Sequence, residues 1–310
     1  MRRRIESPER RKIAPDYNLD IAFKTGQDSQ IRRRCARIIL VNQKGIDEME
    51  TGLKGRLAIV AASSQGLGKA TAYALAAEGA NLALCARNDQ ALAEVAADIK
   101  SKHGVQVFTR AVDVTKSQAV TDFVAAVGAM FGRIDVCVTN AGGPPAKGFL
   151  ELSTEDWQKA FELNLLSTVS FCRGVIPWMQ KQHWGRIVTI TSVSVRQPIP
   201  DLILSNSIRT GVVGLVKSLA TIYGRDGILV NNVGPGYTRT DRLKVLAESR
   251  SKTANVSSDE IYGRWTAETS TGKIAEPEDV ANTIVWLASE QARSVTGQTI
   301  LVDNGSYKGL

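Results

Sequence analysis

A turn of small residues lies between an apolar run and a stretch with helical periodicity. The run Leu57–Ala61 has the length and composition of a strand that is buried on both faces. After Gly66 and Gly68, alanines and Leu75 recur at helical spacing. Such glycines let the backbone approach a phosphate, and the start of the helix offers unpaired N–H groups and a positive dipole end. This order of residues predicts a nucleotide-phosphate site, although an ordinary tight strand–helix turn is an alternative interpretation.

The rest of the chain supplies the elements that would position such a site. Strand patterns alternate with helical patterns, without internal repeats, and this alternation predicts an α/β fold with one doubly wound parallel sheet covered by helices on both faces. Ligands then bind at the carboxyl ends of the strands. The predicted strands after the first are 81–86, 105–112, 134–139, 186–191, 228–233 and 299–302, and the main later helices are about 154–182, 204–223 and 277–289. Residues 237–275 are polar and are predicted to be irregular and to form the substrate pocket.

The composition excludes several function classes. The chain has 310 residues, of which 43% are hydrophobic, enough for one large α/β domain. No apolar run approaches the roughly 20 residues of a membrane span, so no membrane partner is expected. Four cysteines without metal-ligand spacing indicate reduced thiols in a cytoplasmic protein. With only two histidines, neither a His-based triad nor a zinc site is expected, and we predict no metal ligands.

Residues 1–48 differ in charge from the rest of the chain. They hold twelve Lys or Arg and seven Asp or Glu, so +5 of the net charge of +8 lies there. The segment lacks the apolar core of a secretory signal. Three interpretations are open: a disordered extension, a start placed ahead of a natural beginning at Met49, and a basic arm for nucleic acid, which the lack of interleaved aromatics disfavours. We therefore predict a basic, disordered extension over 1–48, a nucleotide-binding domain over 49–310, and no nucleic-acid partner.

Further motifs follow the glycine turn, each on a turn where a predicted strand or helix would place it. They are Asp113-Val114, Thr139-Asn140-Ala141-Gly142, Asn164 in Glu-Leu-Asn-Leu-Leu, Pro235-Gly236 with Thr240, and the closing segment Thr296 to Gly305. Together they resemble the short-chain dehydrogenase/reductase family, and most of all its 3-oxoacyl-acyl-carrier-protein reductases. The similarity covers almost the whole chain from Met49 onwards.

The resemblance implies a Rossmann-type fold and an oxidoreductase that acts on a carbonyl or secondary alcohol, with 3-oxoacyl thioesters among the candidate substrates. It implies a homotetramer or homodimer packed through helices 154–182 and 204–223. It also implies these cofactor-binding residues: Ser63, Ser64, Gly66, Leu67, Gly68, Arg87, Asp113, Val114, Asn140, Ala141, Gly142, Pro235, Gly236, Thr238 and Thr240. Ala62 stands where the family has glycine, so a positive φ there would be strained.

The end of the second strand bears on the choice of cofactor. A carboxylate there would bond the ribose 2′-hydroxyl of NAD and repel the 2′-phosphate of NADP. This chain has Arg87 after Ala86, and a planar, permanently charged guanidinium suits a phosphate. We therefore expect NADP(H) to be preferred over NAD(H), the alternative being a solvated arginine at a helix start.

The catalytic residues are where the chain departs from the family. The resemblance implies a Ser that orients the carbonyl, then a Tyr-x-x-x-Lys pair that delivers the proton, and an Asn that anchors the proton relay. Ser192 and Asn164 fit the first and last of these roles, but Ser205 and Arg209 occupy the Tyr and Lys positions. A serine hydroxyl is far less acidic than a tyrosine hydroxyl, and arginine holds its proton.

Three functional interpretations remain open for this altered pair. The protein is a reductase with another acid, a slow enzyme that uses Ser205 with a water relay, or a cofactor-binding sensor or partner subunit with little turnover. Tyr237 directly follows Pro235-Gly236 and is a candidate substitute acid, the alternative being a tyrosine that packs on the substrate loop. Tyr262 lies in the segment predicted to be irregular and is the weaker candidate.

Overall fold

A computed structural model describes residues 50–310, and the predicted extension over 1–48 and Met49 lie outside the described residues. Seven parallel strands form one sheet in the order β3-β2-β1-β4-β5-β6-β7. Their bounds are β1 Leu57–Ala61, β2 Asn81–Ala86, β3 Val107–Ala111, β4 Val136–Thr139, β5 Gly185–Ile190, β6 Ile228–Pro235 and β7 Thr299–Val302. The strand order reverses between β1 and β4, and a ligand crevice forms at such a switch point.

Helices connect the strands and cover both faces of the sheet. They are α1 Gly66–Ala77, α2 Asp89–His103, α3 Ser117–Phe131, α4 Thr154–Phe161, α5 Ser167–Lys181, α6 Ile203–Tyr223, α7 Asp241–Ala254, α8 Ser258–Glu268 and α9 Pro277–Ala288. A π-helical turn over Glu162–Leu166 joins α4 to α5. The predicted doubly wound parallel sheet is confirmed.

The two faces of the sheet carry separate apolar cores, and β1 contributes to both. Ala58 and Val60 pack in the core beneath α1, α2 and α9, whereas Leu57, Ile59 and Ala61 pack in the core beneath α3, α5 and α6. Side chains alternate between faces along a strand, so a strand between two helical layers must be apolar throughout. Every residue of β1 is buried, as its composition predicts.

The prediction that residues 237–275 are irregular is wrong, because this segment holds α7 and α8. Both helices are polar except for a narrow apolar stripe, which makes their period hard to detect in the sequence. The stripes meet in a third cluster, formed by Leu243, Leu246, Ala247, Ile261, Trp265 and Ile274. Both N-caps are ordinary ones, since the hydroxyls of Thr240 and Ser257 accept from main-chain N–H groups three residues later.

Other boundaries differ by small amounts. The predicted helix over about 154–182 is helical from Thr154 to Lys181 but contains the π-helical turn, which the sequence pattern does not indicate. The third and fourth strands begin two residues later than predicted, at Val107 and Val136, and the sixth runs on to Pro235. Among residues 50–310, no helix is both long and apolar enough to cross a membrane.

Candidate active site

The glycine turn lies at the carboxyl end of β1 and leads directly into α1. Gly66 has a φ of +55°, which glycine adopts without strain. At Gly68, an added Cβ would lie 2.3 Å from the main-chain oxygen of Ala62, so only glycine lets the helix approach the strand end this closely. No side chain caps α1 at Gln65, which leaves the first N–H groups of the helix available to a ligand phosphate.

The remaining residues of this turn are held on the neighbouring strand. Ala62 has a φ of +51° and is therefore left-handed. This conformation is strained for a residue with a Cβ. The Ser63 hydroxyl donates to the carbonyl of Cys85 at 3.4 Å, and the Ser63 N–H donates to the same oxygen at 3.2 Å. Because Ser63 is fully buried, its side chain fixes the turn onto β2, whereas Ser64 and Leu67 are only partly buried.

The end of β2 carries an arginine that is open to solvent. Arg87 is exposed, and no hydrogen bond or ion pair of Arg87 occurs within the described residues. Asp113 lies close by: burial acts to raise its pKa, but hydrogen bonds from Thr115 and the charges of Lys116 and Arg87 outweigh burial and lower it. Arg87 and Asp113 thus lie at one edge of the crevice, and the Arg87 guanidinium is free to bind an anion.

The turn after β4 receives side chains from two separate helical segments. Asn164 Nδ2 donates to the carbonyl of Gly142 at 3.0 Å, and Arg209 Nη2 donates to the carbonyls of Ala141 and Gly142, both at 3.4 Å. Arg209 Nη1 donates to the carbonyls of Ile190 and Thr191, both at 3.1 Å, at the end of β5. The Arg209 guanidinium therefore ties the ends of β4 and β5 together.

Arg209 is a buried cation without a carboxylate partner among residues 50–310. It is 7% exposed, and its hydrogen bonds all go to main-chain carbonyls. Burial, with a smaller contribution from the charge of Arg242, lowers its pKa to about 10. The group therefore keeps its charge at neutral pH, in a place where a charge acts strongly because little water screens it.

Three serines meet beside this cation. The Ser205 and Ser194 hydroxyls are 3.1 Å apart and share a hydrogen bond in which either oxygen can donate. The Ser192 hydroxyl accepts from the N–H of Ser194 at 3.1 Å. Ser205 and Arg209 are one helical turn apart on the buried face of α6. The structure thus brings Ser192 and Ser205 together through Ser194, at the carboxyl end of β5.

Asn164 lies in the π-helical turn, and π-helical turns are frequent at functional sites. The residue is 4% exposed, and its Oδ1 has no hydrogen-bond partner. A buried amide oxygen without a partner is costly. The oxygen therefore needs a donor that the described residues do not supply, such as a water or ligand hydroxyl.

The segment after β6 closes the crevice opposite the glycine turn. Thr240 caps α7, and its methyl would lie 3.7 Å from a Cβ placed at Gly66. Gly236 packs on Asp303, where an added Cβ would meet the Asp303 Cβ at 2.7 Å. The Thr238 hydroxyl donates to the carbonyl of Gly236 at 3.2 Å. Two turns that the sequence separates by about 170 residues thus face each other.

The two candidate tyrosines both contact Trp265. Tyr237 stacks on Trp265 with ring centroids 5.1 Å apart, and its hydroxyl donates to Glu268 Oε2 at 2.6 Å. Burial first, and then Glu268, raise the pKa of Tyr237, the opposite of what a proton donor near neutral pH requires. Tyr262 lies on α8, not in an irregular loop, and packs edge-on against Trp265. These contacts favour the packing interpretation for both tyrosines.

Two residues of this site were not predicted from the sequence. Ser194 links Ser192 to Ser205, and the only sequence signal for it is a second serine two positions after Ser192. Arg242 lies in the segment that carries no recognisable motif; its Nη2 donates to the carbonyl of Pro144 at 2.7 Å. In the part of the chain that the structure describes, no group of three or more His, Cys, Asp or Glu could hold a metal ion.

Comparison with known proteins gives consistent matches over most of the chain. The family model described as Enoyl-(Acyl carrier protein) reductase matches residues 61–307. A 3-oxoacyl-acyl-carrier-protein reductase from Aquifex aeolicus (strain VF5) is 30% identical over 259 residues, which cover 84% of this chain and 100% of the relative. The short chain dehydrogenase/reductase astE of Aspergillus oryzae (strain ATCC 42149 / RIB 40) is 33% identical over 267 residues, 84% of this chain and 97% of the relative.

Solved structures show the same similarity in three dimensions. L-sorbose reductase from Gluconobacter frateurii, crystallised with NADPH and L-sorbose, superposes with a TM-score of 0.81 at 33% sequence identity. The match covers 84% of this chain and 100% of the reductase chain. The shared region therefore includes the sheet, both helical layers and the crevice at the strand ends.

Proposed function

The chain belongs to the short-chain dehydrogenase/reductase family, and from this premise we propose that it is an NADP(H)-dependent oxidoreductase that reduces a carbonyl group or oxidises a secondary alcohol. The observation that carries the proposal is the convergence of Asn164, Arg209 and the Ser192–Ser194–Ser205 cluster beside the turn after β4. This cluster of hydrogen-bonding groups and one buried cation is suited to holding a carbonyl oxygen and stabilising negative charge on it.

Two features of the crevice suit a dinucleotide. Gly68 permits a backbone approach that a Cβ would block, and the N-terminus of α1 has no side-chain cap. The free guanidinium of Arg87 supports the preference for NADP(H), because it can pair with a 2′-phosphate. NADPH is also the cofactor crystallised with the L-sorbose reductase.

A bound nicotinamide would supply or accept the hydride. The chain itself would hold the carbonyl oxygen through the hydroxyls of Ser192 and Ser205, while the charge of Arg209 stabilises the developing alkoxide. We assign the proton delivery to Ser205 Oγ, which Ser194 Oγ or a water then reprotonates through the shared hydrogen bond. Tyr237 is the weaker candidate because its hydroxyl is bound to Glu268 and its pKa is raised.

A second candidate function is cofactor binding with little turnover, as a sensor or partner subunit. It is favoured by the replacement of the Tyr–Lys pair by Ser205 and Arg209, since loss of a general acid typically removes about 10²- to 10⁴-fold in rate. Two tyrosine hydroxyls among residues 50–310 donate to a side chain, and in both cases the partner is a carboxylate outside the serine cluster. Tyr73 donates to Asp98 and Tyr237 donates to Glu268. Cofactor binding does not require the missing hydroxyl.

NADPH consumption separates these two functions. We expect the protein to oxidise NADPH above the enzyme-free rate with at least one class in a panel of 3-oxo thioesters, ketones, oxo acids and quinones. Arg209→Gln should abolish this rate, whereas Lys217→Gln, which removes an exposed cation from the same helix, should not. Tight NADPH binding without turnover on any compound would favour the second function.

We also propose that the protein assembles as a homotetramer or homodimer through the helices that include α5 and α6. Ile222, near the end of α6, is 62% exposed, and a large apolar side chain in this position is suited to an interface. Light scattering at micromolar concentration should give a multiple of the chain mass. A monomer would contradict the proposal.

A further inference from the structure

Two arginines from different helices hold the same short segment after β4. Arg209 on α6 donates to the carbonyls of Ala141 and Gly142, and Arg242 on α7 donates to that of Pro144. At Gly143, between these contacts, an added Cβ would lie 2.9 Å from Arg242 Nε. The absence of a side chain at Gly143 thus allows the Arg242 guanidinium to lie directly on the loop that Arg209 also holds.

No carboxylate among residues 50–310 pairs with either arginine, although acids lie near. Asp201 accepts from Arg250 Nε at 2.8 Å and from Arg250 Nη2 at 2.6 Å, so both of its oxygens are engaged. Glu268 accepts from the hydroxyl of Tyr237. Arg242 also acts on the pKa of Arg209, second to burial, which places the two positive charges within electrostatic reach of each other. Asp201 still acts on Arg242 and raises its pKa, by less than burial lowers it, so Arg242 has a negative charge nearby but no carboxylate bound to it.

The position of Arg242 within its helix does not explain the residue. Arg242 is in the first turn of α7, two residues after the Thr240 cap, where a cation opposes the helix dipole. The side chain is exposed, unlike that of Arg209. Among the described residues, Arg242 forms one hydrogen bond, from Nη2 to the carbonyl of Pro144. Its other N–H groups can therefore reach a ligand.

We propose that Arg242 binds a carboxylate of the substrate, with Arg209 behind it, so that the substrate of this enzyme is an oxo acid or the corresponding hydroxy acid. The inference rests on the proposed function and specifies its substrate class. A planar guanidinium recognises a carboxylate through paired hydrogen bonds. The carboxylate itself does not react: the carbonyl carbon gains a hydride from NADPH, its oxygen gains a proton, and the products are a hydroxy acid and NADP⁺.

The test compares short 2-oxo and 3-oxo acids with their methyl esters, which keep the carbonyl and lose the charge. Wild-type protein should use the acids with a kcat/KM at least about 10-fold above that of the esters. Arg242→Gln should lower this acid-to-ester ratio by about 10- to 100-fold, and Arg242→Lys by less, because it keeps the charge without the fork. Lys244→Gln, which removes an exposed cation two residues away, should leave the ratio unchanged.

A binding measurement keeps this inference separate from the proposed function. Calorimetric titration of the same acids into the protein with NADP⁺ bound should show affinity that Arg242→Gln removes, even if no compound in the panel is turned over. Thermal unfolding checks that the variant is folded. The inference would be overturned if wild-type protein turned over the esters faster, or if Arg242→Gln lowered kcat/KM equally for acids and esters. Arg242 would then serve only to hold the loop at Pro144. Loss of NADPH binding with an unchanged acid-to-ester ratio would assign Arg242 to the cofactor phosphates and overturn it as well.

Discussion

Asn164 and Arg209 donate hydrogen bonds to the same main-chain oxygen, the carbonyl of Gly142, at 3.0 Å and 3.4 Å. One side chain comes from the π-helical turn before α5 and the other from α6, so the turn after β4 is held from two sides. Residues that share a partner in this way are energetically coupled. A substitution that removes the positive charge of Arg209 or the amide donor of Asn164 is therefore expected to move the Gly142 turn, and with it the loop that Arg242 contacts.

Arg87 is expected to select the cofactor. Arg87→Asp should weaken NADPH binding about 10- to 100-fold, the value of a charge-assisted hydrogen bond, and should leave NADH binding nearly unchanged. Arg110→Asp is the matched control, because Arg110 is an exposed arginine of the adjacent strand whose guanidinium donates to the carbonyl of Asp122. Fluorescence titration with both cofactors measures the difference. Equal losses for NADPH and NADH would show that Arg87 does not touch the 2′-phosphate.

Alanine substitutions at Gly68 and Gly214 should change the free energy of unfolding in opposite directions. The Cβ of Gly68→Ala would meet the main-chain oxygen of Ala62 at 2.3 Å, so the turn must shift, at a cost of about 1–3 kcal/mol and with weaker NADPH binding. At Gly214 in α6 no atom lies within 4 Å of an added Cβ, and Gly214→Ala should stabilise the helix by about 1 kcal/mol. Urea unfolding measures both changes. A Gly68→Ala protein as stable as wild type would contradict the close approach.

The sheet was predictable from the sequence because its strands are continuous apolar runs. β1 is buried at every residue and packs in both cores, so its composition alone indicates a central strand between helical layers. α7 and α8 were not predicted because each buries only a few apolar residues and carries many charged ones. In α7, for example, the buried residues include Leu243 and Leu246. Their apolar stripes serve a small separate cluster, and such short stripes give a weak periodic signal.

Some residues of the candidate site could likewise be placed from the sequence, and others could not. Ser205 and Arg209 were placed by their spacing on one helix, since residues four apart share a face. Arg242 and Ser194 could not be placed, because their contacts, with Pro144 and with Ser205, depend on how separate segments meet at the strand ends. The sequence predicted strain at Ala62 only if its φ is positive, because no pattern in the sequence gives the sign of φ.

That strain should be measurable as a gain in stability when it is removed. Ala62 has a φ of +51°, which costs about 1–2 kcal/mol for a residue with a Cβ. Ala62→Gly relieves this cost, partly offset by the greater freedom of glycine in the unfolded chain, for a net gain of roughly 0.5–1 kcal/mol. Ala61→Gly is the control: it lies in the buried strand and should destabilise by roughly 1 kcal/mol. Destabilisation by Ala62→Gly as well would show that the left-handed conformation is not strained.

The final prediction concerns the altered catalytic pair. Ser205 and Arg209 lie on one face of α6, beside Ser192 and Ser194. In Ser205→Tyr combined with Arg209→Lys, a phenol would stand next to an ammonium group that lowers its pKa. Because a restored general acid contributes typically 10²- to 10⁴-fold, ketone reduction should rise by about 10-fold or more. NADPH oxidation under saturating cofactor measures this rate.

Two comparisons give this experiment its meaning. Ser205→Tyr alone should recover part of the gain, because Arg209 already supplies a positive charge, and Ser207→Tyr, on the exposed side of the same helix, should recover none. Arg209→Lys alone should retain NADPH binding, since a lysine keeps the charge near the carbonyls of Gly142 and Thr191. If the double variant is folded and binds NADPH normally but reduces ketones no faster, the serine cluster and its buried arginine form a pocket for different chemistry, and the altered pair is not a lost tyrosine.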